Sequence, residues 1–529
     1  MTPLTLQTGL RRLSEKAYKS VHSESIALVK DSISNPLPYF LLGIIASDHG
    51  NLNKALELFS KAILYEPGNP HYQVYHAKTL STLGQQNAAK ASADEAAKLT
   101  INEAYLADTL GVVYSRSGYH ELAMPFFDYA VAQKPDEANY HYNLAASAQF
   151  IGEFEKARLA YEATLNLDPK FYRAWSSLIS LRRQTPDNNK LEQLYSLFED
   201  IDGGGDAEGQ LQLGHAISKT LEDLDRHPES LDWLLRGKKT KRDELRYNRK
   251  TGQALFEAVK PPPSLQPSPS SSFSKDTPIF IVGLPRTGTT LVDRILSSHP
   301  DVTSAGELNI FAELVKDATK TPSNFVMDAE TFLKSQNLDL ASVGKAYMQV
   351  TQERAKDTPH IIDKMPLNFF YAGLIHRALP NARIIALRRG AMDSCLSNFR
   401  QLFSTQYSYY NYTFDLEDTA WFYRQFDSLM SEWERALPAN RFIEVQYENI
   451  VFDQETQTRR LLDFCNLDWN EACMRFHENV APVSTASSVQ VRRPLYSGSI
   501  GRWKKYGDNL DNLRAALGDL ANESFSSAK

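Results

Sequence analysis

Residues 279–290 read IFIVGLPRTGTT, and LVDRIL follows at 291–296. Four apolar residues in a row, three of them β-branched, make a buried strand. Gly283 and Gly288 bracket a Leu-Pro-Arg-Thr turn, and Leu291, Val292 and Ile295 then fall at helical spacing. A strand that ends in a glycine-bounded turn and runs straight into a helix points backbone N–H groups and the positive end of a helix dipole into the turn. The stretch is therefore built to hold an anion.

Its spacing matches a Walker A loop, but Thr289 stands where a nucleoside triphosphatase carries its lysine. Arg286 lies inside the loop instead, where a guanidinium can grip an oxyanion with two parallel hydrogen bonds. Further β-branched runs follow, HIID at 360, ARIIALR at 382 and RFIEVQY at 441, separated by helical stretches. That alternation predicts an α/β domain with a central parallel sheet, whose ligands bind at the carboxyl ends of the strands.

At 529 residues the chain exceeds the size over which one core keeps growing, so two or more domains are expected. A net charge of −6 argues against a nucleic-acid partner or a membrane surface, and confines any anion site to a local cluster. Cys395, Cys465 and Cys473 form no paired framework and no zinc spacing, and Cys473 with His477 reads as packing. The N-terminus carries no apolar signal core and no run reaches membrane-spanning length, so a cytoplasmic protein is expected.

Ahead of the sheet the sequence is periodic. Gly50, Gly84, Gly118 and Gly152 recur at one constant interval, as do Ala55, Ala89, Ala123 and Ala157. Phe59, Ala93, Phe127 and Tyr161 form a third column, Pro67, Pro135 and Pro169 a fourth, and Ala62, Ala96 and Ala130 a fifth that ends at Thr164. The glycine ends one helix, the proline ends the next, and the small residues let the two approach. Such columns, with a period of about 34 residues, resemble the tetratricopeptide repeat, a solenoid of helix pairs that bury their faces only by stacking.

Four units lie between about residues 37 and 171, with a degenerate fifth after them, another helical pair near 211–239 and a capping helix before residue 37. The array offers a concave surface for a peptide or protein, or a homodimer or purely structural platform. Tyr72, Tyr75, Tyr140 and Tyr142 either line that surface or pack between helices. From Arg236 to Lys250 eight Lys/Arg face two acids, +6 by 8 minus 2, read as a solvated helix face or as a dock for an acidic partner. The expected boundaries are 1–255 for the solenoid, 256–278 for a Pro/Ser-rich linker and 279–529 for the α/β domain.

PRTGTT at 285–290 and LRRGAMDSCLSNFRQ at 387–401 together resemble the two phosphate-binding segments of the sulfotransferases, which use 3'-phosphoadenylyl sulfate (PAPS). The resemblance explains the missing lysine, because that donor carries no metal-bound γ-phosphate, and no metal is expected. It implies that Arg286, Thr287, Gly288, Thr289 and Thr290 hold the 5'-phosphosulfate. It implies too that Arg389, or its neighbour Arg388, holds the 3'-phosphate with Ser397 and Arg400.

Glu307, one residue after Gly306, resembles the general base of tyrosylprotein sulfotransferases, and Lys364 in HIIDKMPLNF the family's catalytic lysine. Pro366 stands where the cytosolic branch has a catalytic histidine, which favours the glutamate. Asp363 and Asn368 read as supporting residues, and His360 and His376 as structural. Tyr447 in VQYENIV and the segment VSTASSVQVRRPLYSGSIGRWKKY, with Ser484, Thr485, Arg492 and Arg493, resemble nucleotide-contacting and closing elements. The two modules in this order are similar to bacterial tetratricopeptide-repeat-containing sulfotransferases. Sulfuryl transfer to a hydroxyl, protein tyrosine among the candidates, with PAP (adenosine 3',5'-bisphosphate) as product, is the expectation. A scaffold with a silent second domain is the alternative.

Overall fold

The computed structural model describes residues 4–262, 265–266, 277–323, 325–352, 354–355, 358–405, 408–479, 481 and 490–522. The chain divides into two compact units, Met1–Leu181 and Arg182–Lys529.

In the first unit four helix pairs begin at Pro36, Pro70, Ala104 and Ala138, at the same even spacing as the glycine column. Gly50, Gly84, Gly118 and Gly152 follow the first helix of each pair with positive φ, a left-handed stop that glycine adopts without a Cβ clash. The alanine column and Phe59, Ala93, Phe127 and Tyr161 are buried. A further column packs against this one. A Cβ on Gly43 would lie 2.5 Å from the Phe59 ring and one on Gly111 2.6 Å from Phe127, whereas Ala77 stands at the equivalent position in the pair that carries Ala93. Small and large residues therefore alternate across the helix pair so that the volume per repeat stays filled. Tyr72 and Tyr140 are buried, Tyr75 packs edge-on to Phe40, and Tyr142 meets Phe171, so these rings serve packing. Two helices, Leu6–Ser14 and Tyr18–Asp31, precede the pairs where one was expected.

The second unit begins earlier than the sequence suggested. Helices Ala207–Asp223 and His227–Leu245, assigned above to the solenoid, and Arg249–Val259, which runs across the expected boundary into the expected linker, belong to the same compact unit as the sheet, and the compact units divide after Leu181, ahead of the expected 255. The basic run is part of the reason. Lys238 is buried and donates to the Thr413 carbonyl at 2.8 Å, Arg242 pairs with Asp415 at 2.8 Å, and Arg249 with Asp418 at 2.5 Å. These cations join helices to the α/β body, where a solvated face had been expected.

Five parallel strands form the sheet: β1 (Thr277–Gly283), β2 (Val302–Ser304), β3 (His360–Asp363), β4 (Arg383–Arg388) and β5 (Phe442–Gln446), in the order β2-β3-β1-β4-β5. The short β2 has no sequence signature of its own. Along β1, Ile279 and Ile281 enter the core on one face while Phe280 and Val282 enter the other, the pattern of a sheet covered on both sides. Because all strands run the same way and β1 is central, the residues that follow β1, β2, β3 and β4 emerge along one edge. All three cysteines are buried and unpaired. Among the described residues no helix is long and apolar enough to cross a membrane.

Candidate active site

The anion loop follows β1. Gly283 has φ 147°, and a Cβ there would meet the Leu387 carbonyl oxygen of β4 at 2.6 Å, so the loop starts with two backbones in contact. Arg286 takes the left-handed conformation, φ 68°, which no glycine relieves. Thr287 is buried and its hydroxyl donates to the Leu284 carbonyl at 2.7 Å, closing the turn on itself. Gly288 caps the helix Thr289–Ser297 at φ 103°. As a glycine it brings no capping side chain to the first-turn amides, which face into the loop. A Cβ on Gly288 would lie 2.5 Å from the Tyr447 ring.

A buried asparagine, which sequence reasoning passed over, supports the loop from behind. Asn398 donates to the Pro285 carbonyl at 2.8 Å and accepts from the Tyr412 hydroxyl at 2.9 Å. Burial lowers the Arg286 guanidinium to about 10, with the neighbouring charge of Arg389 adding to the effect. It stays charged at neutral pH, in a setting where an anion is favoured.

The two arginines after β4 have different partners. Arg388 turns away, pairing with Asp427 and lying 3.7 Å from Glu444. Arg389 turns toward the loop. Its Nη1 donates to the Arg286 carbonyl at 3.0 Å, its Nη2 to the Ser499 carbonyl at 2.5 Å, and its guanidinium lies over the Tyr447 ring at 5.1 Å. Its buried Nε has no partner among the described residues. The backbone around it is held by Tyr423, which donates to the Arg389 carbonyl, and by buried Glu448, which accepts from the Gly390 amide.

Glu307 and Lys364 form a direct ion pair. The backbone sets it up: Ala305 donates to the Ile362 carbonyl and Lys364 to the Gly306 carbonyl, both at 2.9 Å, which extends the β2–β3 pairing past the strands. Lys364 is 1% exposed and Glu307 35%, so the carboxylate opens toward solvent and the ammonium sits behind it. Asp293 of the loop helix lies within electrostatic range of both. Burial raises its carboxyl above the usual range, with Lys364 opposing that shift. Asp363 serves a different partner. Its carboxylate accepts from Tyr347 at 2.9 Å, and burial pushes it up to about 7.

The remaining expected residues are distributed differently. Tyr447 packs beneath the loop with its hydroxyl 2.7 Å from Ser499 Oγ. Ser397 is half-buried on the helix Ala391–Arg400, and Arg400 at that helix's end pairs with Glu222. Arg492 is half-buried beside Arg294, and Arg493 is exposed. Ser484 and Thr485 lie outside the described residues.

Sequence reasoning missed how the closing stretch is held. Arg294 reaches Asn479 at 3.1 Å and the Ala481 carbonyl, Gln490 accepts from Arg286 at 2.8 Å, and Asp393 accepts from the amides of Gly501 at 2.6 Å and Trp503 at 3.1 Å. An Asp three residues after a Gly-Ala helix start was the available signal for Asp393. Glu222 had none.

Residues 278–471 match the Sulfotransferase family. The chain is 24% identical over 249 residues to the protein-tyrosine sulfotransferase of Drosophila melanogaster, covering 44% of this chain and 48% of that one. It is 26% identical over 368 residues to an uncharacterized protein of Aquifex aeolicus (strain VF5), covering 67% of this chain and 47% of that one. The chain thus spans about half the length of these relatives. Among solved structures, the sulfotransferase domain from the Synechococcus PCC 7002 olefin synthase covers 48% of this chain and 99% of its own, at 18% identity and a TM-score of 0.33. YrrB, a tetratricopeptide-repeat protein with an unusual peptide-binding site, covers 39% of this chain and 96% of its own, at 15% identity and a TM-score of 0.29. The C-terminal region is thus similar to sulfotransferases, and the helical N-terminal region has tetratricopeptide-repeat neighbours.

Proposed function

We propose that the second unit transfers a sulfuryl group from PAPS to a hydroxyl acceptor. The observation that carries the reading is the meeting, past the ends of four parallel strands, of a glycine-capped loop helix, Arg286 with Arg389, and the Glu307–Lys364 pair. The residues fit a bis-anionic donor: the loop helix starts from a glycine, and the buried guanidinium Nε of Arg389 lacks a partner among the described residues.

The donor, when bound, supplies an activated sulfuryl group whose S–O bond to the 5'-phosphate breaks as the bond from sulfur to the acceptor oxygen forms. Arg286 and the loop amides hold its 5' end, and Arg389 neutralises its second phosphate. Glu307, the more exposed partner of the pair, accepts the acceptor's proton as the new bond forms. Lys364 donates to the bridging oxygen and compensates the charge left on the departing phosphate. Before that, the ion pair with Lys364 holds the Glu307 carboxylate aimed; an acceptor hydroxyl entering between solvent and Glu307 takes up the more exposed face of the carboxylate.

Protein tyrosine is the acceptor we favour, because the relatives that match include protein-tyrosine sulfotransferases, and the repeat array is then the element that presents the peptide. Three buried free thiols suit a reducing, cytoplasmic setting. The test is transfer of labelled sulfate from PAPS to tyrosyl peptides, saccharides and small phenols, with calorimetry of PAP alongside. Transfer to a hydroxyl supports the reading; PAP binding without transfer to any class supports the silent scaffold.

A further inference from the structure

Glu222 lies on helix Ala207–Asp223, well ahead of the anion loop in the chain and outside both phosphate-binding segments described above. Its carboxylate is nonetheless buried, with its side chain 3% exposed. One oxygen takes Arg400; the other takes Arg502 Nε at 3.0 Å and the Tyr506 hydroxyl at 3.2 Å. These partners come from two stretches, the end of helix Ala391–Arg400 and the turn that starts at Arg502, and this carboxylate is where they meet.

Two guanidiniums against one carboxylate leave a local excess of one positive charge, 2 minus 1. That excess continues toward the loop, since the charge of Arg502 acts on Arg286 as well as on Arg400. The Arg502 turn is tied down from its other side by Asp393, through the Gly501 and Trp503 amides, and Arg389 donates to Ser499 just before it. A buried carboxylate is costly to keep in a fold unless its partners are held in good geometry. Here it draws together two like charges that would otherwise repel, and it leaves them unneutralised as a pair.

We infer that Glu222 is a positioning residue, which holds Arg400 and Arg502 as a preformed cationic pair for the second phosphate of the donor. Helix Ala207–Asp223 is then part of the donor site, although it precedes the sheet in the chain. The inference rests on the donor reading proposed above, and the two can fail separately.

The test is calorimetry on the full chain with PAP and with AMP, which lacks the second phosphate. The unaltered protein should bind PAP more tightly than AMP. Glu222→Gln should lower PAP affinity about 10-fold, the scale of one charge-assisted hydrogen bond, and leave AMP affinity within about 2-fold. Glu222→Asp should recover part of the loss. An equal loss for both nucleotides would make Glu222 a purely structural staple and overturn the inference. Unchanged PAP binding, or tighter binding because the carboxylate competes with phosphate, would overturn it too. An unaltered protein with no affinity for PAP removes the donor reading itself. Should Glu222→Gln not fold, Arg502→Ala, altered at the half-exposed end of the cluster, reads the same PAP-to-AMP ratio: a retained ratio sinks the inference and a collapsed one supports it.

Discussion

Within the repeat array each buried position answers to an equivalent one in the next helix pair, whereas the residues that meet at the site are 57 apart for Lys364 and Glu307, 103 for Arg389 and Arg286, and 178 for Arg400 and Glu222. The array spreads its stability over many equivalent contacts, so one substitution perturbs one helix pair. The site concentrates its chemistry in single side chains that have no equivalent elsewhere. Substitutions in the two regions should therefore read out differently, as stability in one and as turnover or affinity in the other.

The largest effect should come from Glu307→Ala, a loss of about 10²–10⁴-fold in turnover with PAP affinity nearly unchanged. Retained turnover in a sulfate-transfer assay would remove Glu307 as the base. Lys364→Met comes next, at about 10²–10³-fold in kcat, because a donor to the leaving oxygen is lost and the contact with Glu307 goes with it. Arg389→Ala should weaken PAP about 10- to 100-fold, the scale of one or two hydrogen bonds to a charged group. Its neighbour offers the contrast: Arg388→Ala should lower thermal stability by stranding Asp427 and Glu444, and leave PAP affinity nearly intact. Equal effects of the two on PAP binding would contradict the orientations described here.

In the array, Gly111→Ala should cost about 1–3 kcal/mol in denaturant melts, since the new methyl meets a rigid ring, less up to about 1 kcal/mol gained in helix propensity. Phe127→Leu in the same chain should relieve part of that cost, and neither change should alter PAP binding. The smallest effect is one of pH. Asp363 holds its proton up to about 7 in the folded protein and loses it near pH 4 when unfolded, so its contribution to stability is complete below pH 4 and declines as pH rises to 7. Asp363→Asn should flatten that decline; melting temperatures of parent and variant compared from pH 4 to 8 measure it.

Much of this was legible before any coordinates. Gly50 to Gly152 announced the helix pairs because a left-handed stop tolerates few residues besides glycine. The strand, glycine turn and helix start around 277–297 were legible because they are contiguous in the chain. Contacts between distant segments were not legible. The end of the array was placed too late because helices Ala207–Asp223 and His227–Leu245 have the amphipathic pattern of repeat helices, and the same pattern serves equally to pack them against one another and against the helical turns of the α/β unit. Lys238 looked like a solvated cation because its carbonyl partner on Thr413 is 175 positions away. Arg388 and Arg389 could not be told apart, since which of two adjacent side chains faces the loop depends on how β4 ends.

The repeat period and the strand–loop–helix at 277–297 could both be read from the chain, because each is written in neighbouring residues or in a fixed repeat. Folding in three dimensions turned Arg389 toward the loop and Arg388 away from it, brought Lys364 to Glu307, and set a carboxylate from a helix ahead of the sheet against Arg400 and Arg502. Parallel strands bring their carboxyl ends together whatever their separation in the chain, and no local pattern records which side chains will then be neighbours.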